Sequence, residues 1–199
     1  FYSPSGSGLY MSIAWHSGLH ADGLPPVTAA AAVAVRFAVG YVLGQRADIK
    51  WVNDVLVDGK KVCGILAECS ERSDGADIVI GIGINLTPPE GGFPPELGGA
   101  GALCSHMEPE VAEELAASVI AELCALLDGG SADEIISRYR EGCCSIGGKL
   151  RLRRDGGAVE YTALNIGDDG ELIVESPDGE RLTVISAAEV CRPAERENY

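Results

Sequence analysis

The sequence predicts an α+β fold, a mixed sheet packed against helices, with a small β-barrel appended at the carboxyl end. Three observations carry that prediction. Strand-like and helix-like stretches alternate over residues 8–141, and residues 49–68 read as a hairpin belonging to the sheet. From about Lys149 the texture changes to short strands with Asp-Gly and Gly-Asp turns every eight to ten residues. At 199 residues and 46% hydrophobic content the chain has enough apolar material for one large domain, or a medium one with a small companion.

Taken in order, the opening "FYSPSGSGLYMSIAW" enters a strand over residues 8–15. It starts at Phe1 without a signal-peptide layout and reads as a piece beginning inside a domain. "PPVTAAAAVAVRFAVGYVLGQ" is the most hydrophobic stretch, but Arg36 sits in its middle and alanine dominates its first half. A buried helix over residues 28–43 is expected, with Thr28 as cap, two prolines ahead of it and small residues for close packing on a sheet.

The hairpin "IKWVNDVLVDGKKVCGILAE" turns at Asp58-Gly59, a pair that tolerates positive φ at both positions. The expected register pairs Val57 with Lys60, Leu56 with Lys61, Val55 with Val62 and Asp54 with Cys63. Asp54, Leu56, Lys61 and Cys63 then share a face, and period-two continuation of the strand adds Lys50. Asp54 and Lys61 become diagonal neighbours, roughly 7 Å apart at Cβ. Two readings fit this gathering of charge. One is a solvated face whose ion pair contributes at most about 1 kcal/mol. The other is a site for an anionic ligand, with Lys50 and Lys61 neutralising phosphate or carboxylate and Asp54 positioning a lysine or a metal ion.

A strand over residues 77–85 carries Gly81-x-Gly83 before Asn85, yet neither it nor "SPSGSGLY" completes a phosphate-loop or dinucleotide fingerprint. Its glycines fit either the approach of a flat ligand or the tight packing of a helix. The proline- and glycine-rich residues 85–106 form either an active-site cover or a surface excursion. Helices follow over residues 108–128 and 132–141, the first with an apolar stripe at Val111, Leu115, Val119, Leu123 and Leu127. The boundary falls near "CCSIGG", dividing the chain into residues 1–146 and 147–199.

A net charge of -15 repels nucleic acid and anionic membrane surfaces, so any phosphate site is local. Seven cysteines without a Cys-x-x-Cys point to reduced thiols and a cytoplasmic protein, with Cys63 and Cys124 as small core residues. His16, His20 and His106 lack ligand spacing and read as surface or loop residues, not a zinc site.

Lys50-Trp51-Val52-Asn53-Asp54, the Lys61-Val62-Cys63-Gly64-Ile65-Leu66 strand, Gly81-Ile82-Gly83-Ile84-Asn85 and the upstream Ser3-Pro4 to Leu9-Tyr10 segment occur in the order seen in biotin protein ligases, which this chain resembles over nearly its whole length. Two positions depart from the family pattern: Val52 replaces a usual proline, and Ala188-Glu189 stands where a glycine-glutamate pair is usual. The resemblance implies a class II synthetase-like catalytic domain and a small SH3-like β-barrel. It also implies two-step chemistry, in which biotin and ATP give biotinyl-5'-AMP and pyrophosphate, and a lysine of a biotin carboxyl carrier protein then takes the acyl group.

In that likeness the catalytic residues are Lys61, Asp54 and Lys50. Lys61 meets the biotin carboxylate and the α-phosphate, Lys50 holds phosphate oxygens of ATP, and Asp54 orients Lys61 and assists Mg2+ or the incoming amine. Gly64, Ile65, Gly81 and Gly83 border biotin, while Asn53 and Asn85 lie at the nucleotide. The carrier is an acetyl-CoA carboxylase subunit or another biotin enzyme, a homodimer through the strand edge near residues 1–15 is expected, and no nucleic acid or membrane contact is. The family's glycine- and arginine-rich loop would precede Phe1, so the 199-residue chain alone is expected to bind biotinyl-adenylate weakly and turn over little. The alternatives are a lipoate ligase or octanoyl transferase type of acyl transfer, against which the Lys50 to Asp54 run and the barrel weigh, and a non-catalytic biotin-sensing regulator or carrier-binding module.

Overall fold

A computed structural model describes residues 2–24, 26–154, 157–186, 188 and 190. Phe1, the turn at Asp155-Gly156, Glu189 of the Ala188-Glu189 pair and residues 191–199 of the expected barrel lie outside the described residues. The element order is β1 (Gly8–Ser17), α1 (Val27–Leu43), β2 (Asp48–Lys50), β3 (Asp54–Val57), β4 (Lys60–Arg72), β5 (Gly75–Asn85), α2 (Pro109–Gly129), α3 (Ala132–Gly142), β6 (Lys149–Arg154), β7 (Gly157–Ile166), β8 (Leu172–Glu175) and β9 (Arg181–Val184).

The first sheet runs β1-β5-β4-β3-β2, the second β6-β7-β8-β9. All strand ladders in both are antiparallel, which corrects the expectation of a mixed first sheet. Among the described residues, parallel pairing is confined to the single bridges Ile49↔Cys143 and Lys61↔Ala100. The short connections explain it: β2 to β5 follow one another through tight turns, which join only antiparallel neighbours.

β5 reads "GADIVIGIGIN", and its period of two sorts the sheet's faces. Ile78, Ile80, Ile82 and Ile84 are buried, while Val79, Gly81, Gly83 and Asn85 fall on the opposite side. The isoleucine side packs under α1, whose Ala30, Ala31, Ala32 and Ala34 are fully buried because the helix lies between the sheet and α2 and α3. A helix apolar all round is the expected solution for such a place. Arg36 fits it by donating from Nε to the Ala47 carbonyl at 3.1 Å. Pro26, not Thr28, occupies the N-cap of α1, without a side-chain bond; Gly44, at φ 64, closes the other end by donating to the Gly40 carbonyl. No helix among the described residues is long and apolar enough to cross a membrane.

On α2 the buried stripe is Leu115, Val119, Leu123 and Leu126, so Leu126 replaces the expected Leu127. Steps of four overshoot a period of 3.6, and the stripe resets with a step of three. Cys124 is exposed for the same reason, whereas Cys63 is buried as expected. α3 starts at Ser131, whose Oγ accepts the Glu134 amide at 3.1 Å. All three histidines are on the surface beside carboxylates, His16 with Asp77, His20 with Glu71 and His106 with Glu108. The second sheet is a meander that begins at Lys149, with a bridge from Leu152 to Val190 bringing the chain back to β6.

Candidate active site

Following the register across the first sheet gives one row: Tyr10 of β1, Gly83 of β5, Gly64 of β4, Asp54 of β3 and Lys50 of β2. Ser12, Gly81 and Leu66 form the next row on the same helix-free face. The glycines are not there to admit a helix. A Cβ added at Gly81 would meet only the Leu66 carbonyl, at 3.6 Å, and otherwise point into open space. They flatten the floor of a cleft of about 510 Å³ lined by Tyr10, Asn53, Lys61, Gly64, Ile65, Leu66, Gly81 and Gly83. Ile65 contributes its backbone edge, being 3% exposed on the helix side.

The hairpin keeps its predicted turn, with positive φ at Asp58 and Gly59, and its first two pairs, Val57↔Lys60 and Leu56↔Lys61. A bulge then shifts the register, so Val55 faces Cys63 and Asp54 faces Gly64. The expected pairs Val55–Val62 and Asp54–Cys63 are therefore corrected, and Cys63 leaves the charged face for the core. Burial holds its thiol protonated by pushing its pKa far up. Lys61, next to the bulge, gains further backbone partners. The Lys61 amide donates to the Gly99 carbonyl and the Lys61 carbonyl accepts from the Gly101 amide, each at 2.8 Å, so residues 99–101 bridge to Lys61 in addition to its β3 partner Leu56. Gly101 permits that approach, since a Cβ there would lie 2.6 Å from that of Lys60. Residues 85–106 are thus stitched to the site, and the open choice between cover and excursion resolves to a wall of it.

Lys61 Nζ forms an ion pair with Asp54 Oδ1, their side chains 41% and 21% exposed. At that exposure the pair contributes about 1 kcal/mol at most, so its consequence is orientation rather than stability. Lys50 reaches the same face differently from what was expected. The strand does not continue back from Asp54; residues 51–53 form a turn, and Lys50 returns as the cross-strand partner of Asp54. It borders neither cavity next to Lys61 but a depression of about 260 Å³ shared with Ser145, Gly148 and Lys149 at the seam with the second sheet.

Both asparagines are clamps. Asn53 Nδ2 donates to the Ile65 carbonyl at 2.7 Å while its own carbonyl accepts the Ile65 amide at 3.0 Å. Asn85 Nδ2 donates to the Gly101 carbonyl at 2.9 Å, and its carbonyl accepts the Leu103 amide. Asn85 also lines a smaller cavity of about 150 Å³ with Tyr2, Lys61, Cys63, Phe93, Leu97 and Ala100. Lys61 is a wall of both cavities.

Several positions escaped the sequence reading. Tyr10 and Leu66 wall the cleft; period-two alternation from Gly64 was a signal for Leu66, whereas Tyr10 arrives only through its cross-strand pairing with Gly83. Tyr139 and Ser145 had no local signal. The Tyr139 hydroxyl donates to the Val52 carbonyl at 3.0 Å, and Ser145 Oγ accepts the Trp51 amide at 2.9 Å. The Trp51–Val52 peptide is cis. For a metal, the site offers the one carboxylate of Asp54, and no group of three His, Cys, Asp or Glu suited to a metal occurs among the described residues. That donor set suits Mg2+ carried in by polyphosphate oxygens, not an ion caged by protein.

Comparison with known proteins gives a consistent set. The Biotin/lipoate A/B protein ligase family matches residues 1–85. The chain is 30% identical over 187 residues to the bifunctional ligase/repressor BirA of Bacillus spizizenii, covering 90% of this chain and 57% of that protein. It is 35% identical over 170 residues to the biotin--[acetyl-CoA-carboxylase] ligase of Paracoccus denitrificans, covering 80% and 70% respectively. Thus it spans little more than half the length of the Bacillus relative. Among solved structures, the biotin protein ligase of Aquifex aeolicus gives a TM-score of 0.72 at 22% identity, over 93% of this chain and 81% of that one. The same protein in complex with biotin and ATP gives 0.70 at 21% identity, over 93% and 78%. At such identity the likeness speaks for the fold.

Proposed function

The chain belongs to the biotin/lipoate A/B protein ligase family, and on that premise we propose that it activates biotin with ATP and transfers the product to a lysine of a biotin carboxyl carrier protein. The observation that carries this reading is Lys61, held by Asp54 and forming a wall of two adjoining cavities. A carboxylate oxygen of biotin attacks the α-phosphorus, the bond to the β-phosphate oxygen breaks, and pyrophosphate leaves. Two anions must meet for that step, and a fixed ammonium between them lowers the cost of their approach. Biotin occupies the glycine-floored cleft beside Gly64, Ile65, Gly81 and Gly83; adenylate reaches toward Asn53 and Asn85. In the second step the carrier's amine attacks the acyl carbon, an amide forms, and AMP leaves.

Asp54 keeps the Lys61 ammonium aimed at the junction, and Lys50, opposite Asp54, meets the outer phosphates. Mg2+ supplies charge neutralisation for the leaving pyrophosphate when bound. The second sheet is assigned as an SH3-like barrel over residues 147–199, after a catalytic domain over residues 1–146; its meander and the Leu152↔Val190 bridge support closure. A reducing cytoplasm suits the six free thiols among the described residues. A homodimer through the β1 edge belongs to the same reading, since β1 ends the sheet order. The Paracoccus relative is named a biotin--[acetyl-CoA-carboxylase] ligase, which favours biotin over lipoate within the family.

Pyrophosphate release by the purified protein with biotin and ATP tests this. Lys61→Ala is expected to slow it by roughly 100-fold or more. Release at the wild-type rate in that variant, or a preference for lipoate or octanoate over biotin, would sink the assignment.

A further inference from the structure

Residues 51–53 join Lys50 to Asp54, and each of the three is held by a group distant in sequence. The Trp51 amide donates to Ser145 Oγ at 2.9 Å and its indole Nε1 donates to the Gly170 carbonyl at 2.9 Å. The Val52 carbonyl accepts from the Tyr139 hydroxyl at 3.0 Å, and Asn53 exchanges two bonds with Ile65. Tyr139 is 1% exposed, so bulk water is no ready substitute for its hydroxyl. Burial also pushes its phenol far up in pKa, leaving it a donor across the working pH range.

The next residue on α3 faces the other sheet. Arg140 donates from Nε to the Ile166 carbonyl at 2.7 Å and from Nη2 to Asp168 Oδ1 at 2.6 Å, gripping the β7–β8 turn. Ile136, on the same helix, lies beside Gly170, where an added Cβ would sit 3.6 Å from its Cδ1. A closed ring results: Val52 to Tyr139, along α3 to Arg140, into residues 166–170, and back from Gly170 to Trp51.

We infer that Tyr139 is a positioning residue for Lys50 and Asp54, and that through α3 and Trp51 the β7–β8 turn of the second sheet sets the geometry of the site. The inference rests on the proposed activity for its kinetic readout but not for its structural one. Lys50 and Asp54 are opposed across the turn, so a change in its shape moves a phosphate-binding ammonium and the carboxylate that aims Lys61 together.

Tyr139→Phe keeps the ring and removes only the hydroxyl. The expected result is a roughly three- to tenfold fall in kcat for pyrophosphate release, with the KM for biotin changed by less than about twofold. Arg138→Gln removes the ion pair between α3 and Glu122 without touching residues 51–53; it is expected to lower Tm and leave kcat unchanged. An unchanged kcat in Tyr139→Phe, or an equal fall in Arg138→Gln, overturns the inference. If the wild-type protein releases no pyrophosphate, the kinetic readout falls away and amide exchange decides the inference alone. Exchange at the Ile65 amide, which donates to the Asn53 carbonyl, should then accelerate roughly threefold or more in Tyr139→Phe, with the Ile82 amide as unaffected reference. Equal rates at Ile65 in both proteins would overturn it. Should Tyr139→Phe fail to fold, Arg140→Gln reads the same ring from its outer side, with the same expected signs.

Discussion

β3 is four residues long and lies between two turns of opposite construction. The turn after it, Asp58-Gly59, rests on its own backbone: both residues take positive φ. The turn before it, residues 51–53, is held by Ser145, Gly170, Tyr139 and Ile65, which come from β4, α3, the segment after α3 and the second sheet. One turn is local chemistry and the other is a tertiary product. The lesson is that a site spanning both, with Lys61 beyond the local turn and Lys50 before the tertiary one, depends on parts of the chain nearly 120 residues away, as the separation of 119 between Trp51 and Gly170 records.

The tertiary turn is most sensitive at Trp51, which is 8% exposed. Trp51→Ala removes a buried ring and the bond to the second sheet together, with an expected loss of about 3–5 kcal/mol in urea denaturation. A loss under about 1 kcal/mol would mean that the two sheets are not energetically joined there. At the local turn the expected effect is smaller. Gly59, at φ 73, has open space around it, so Gly59→Ala meets backbone strain alone and costs about 1 kcal/mol. Chemical denaturation that shows a cost as large as that of Trp51→Ala would erase the distinction between the turns.

The smallest effect belongs to the outer end of β4, where His20 meets Glu71 on the surface. The hydrogen bond that His20 donates to Glu71, together with the carboxylate's charge, raises His20 above its ordinary 6.5, and the same contact lowers Glu71 below 4.5. Raised His20 stabilises the fold below pH 6.5 and loses that contribution as pH climbs through its folded value; lowered Glu71 contributes above 4.5 and loses it as pH falls. The pair therefore acts fully between those two values. In a proton NMR titration, Glu71→Gln is expected to bring the His20 midpoint back toward 6.5; an unmoved midpoint would show that the contact does not persist in solution.

Much of this was legible in the sequence because its causes are short-ranged. The Asp58-Gly59 turn, the start of the second sheet at Lys149, the helical cores and the meeting of Asp54 with Lys61 follow from turn chemistry and periodicity. The misread details share another cause. Thr28 lost the cap to Pro26, Leu127 yielded to Leu126, and Cys63 crossed to the core, each because a neighbouring element or a helical drift decided one residue of register.

The sequence alone supplies the inventory: the glycines Gly64, Gly81 and Gly83, open there to either a ligand or a helix, and three charged side chains at Lys50, Asp54 and Lys61. Period-two alternation assigns those residues to one face wherever the strand is regular. Packing of the folded chain sets the bulge between Lys61 and Cys63 and the turn at 51–53. A turn without its own Asp-Gly chemistry takes its shape from whatever donors and acceptors surround it. Those partners are distant in sequence, and no local pattern announces them.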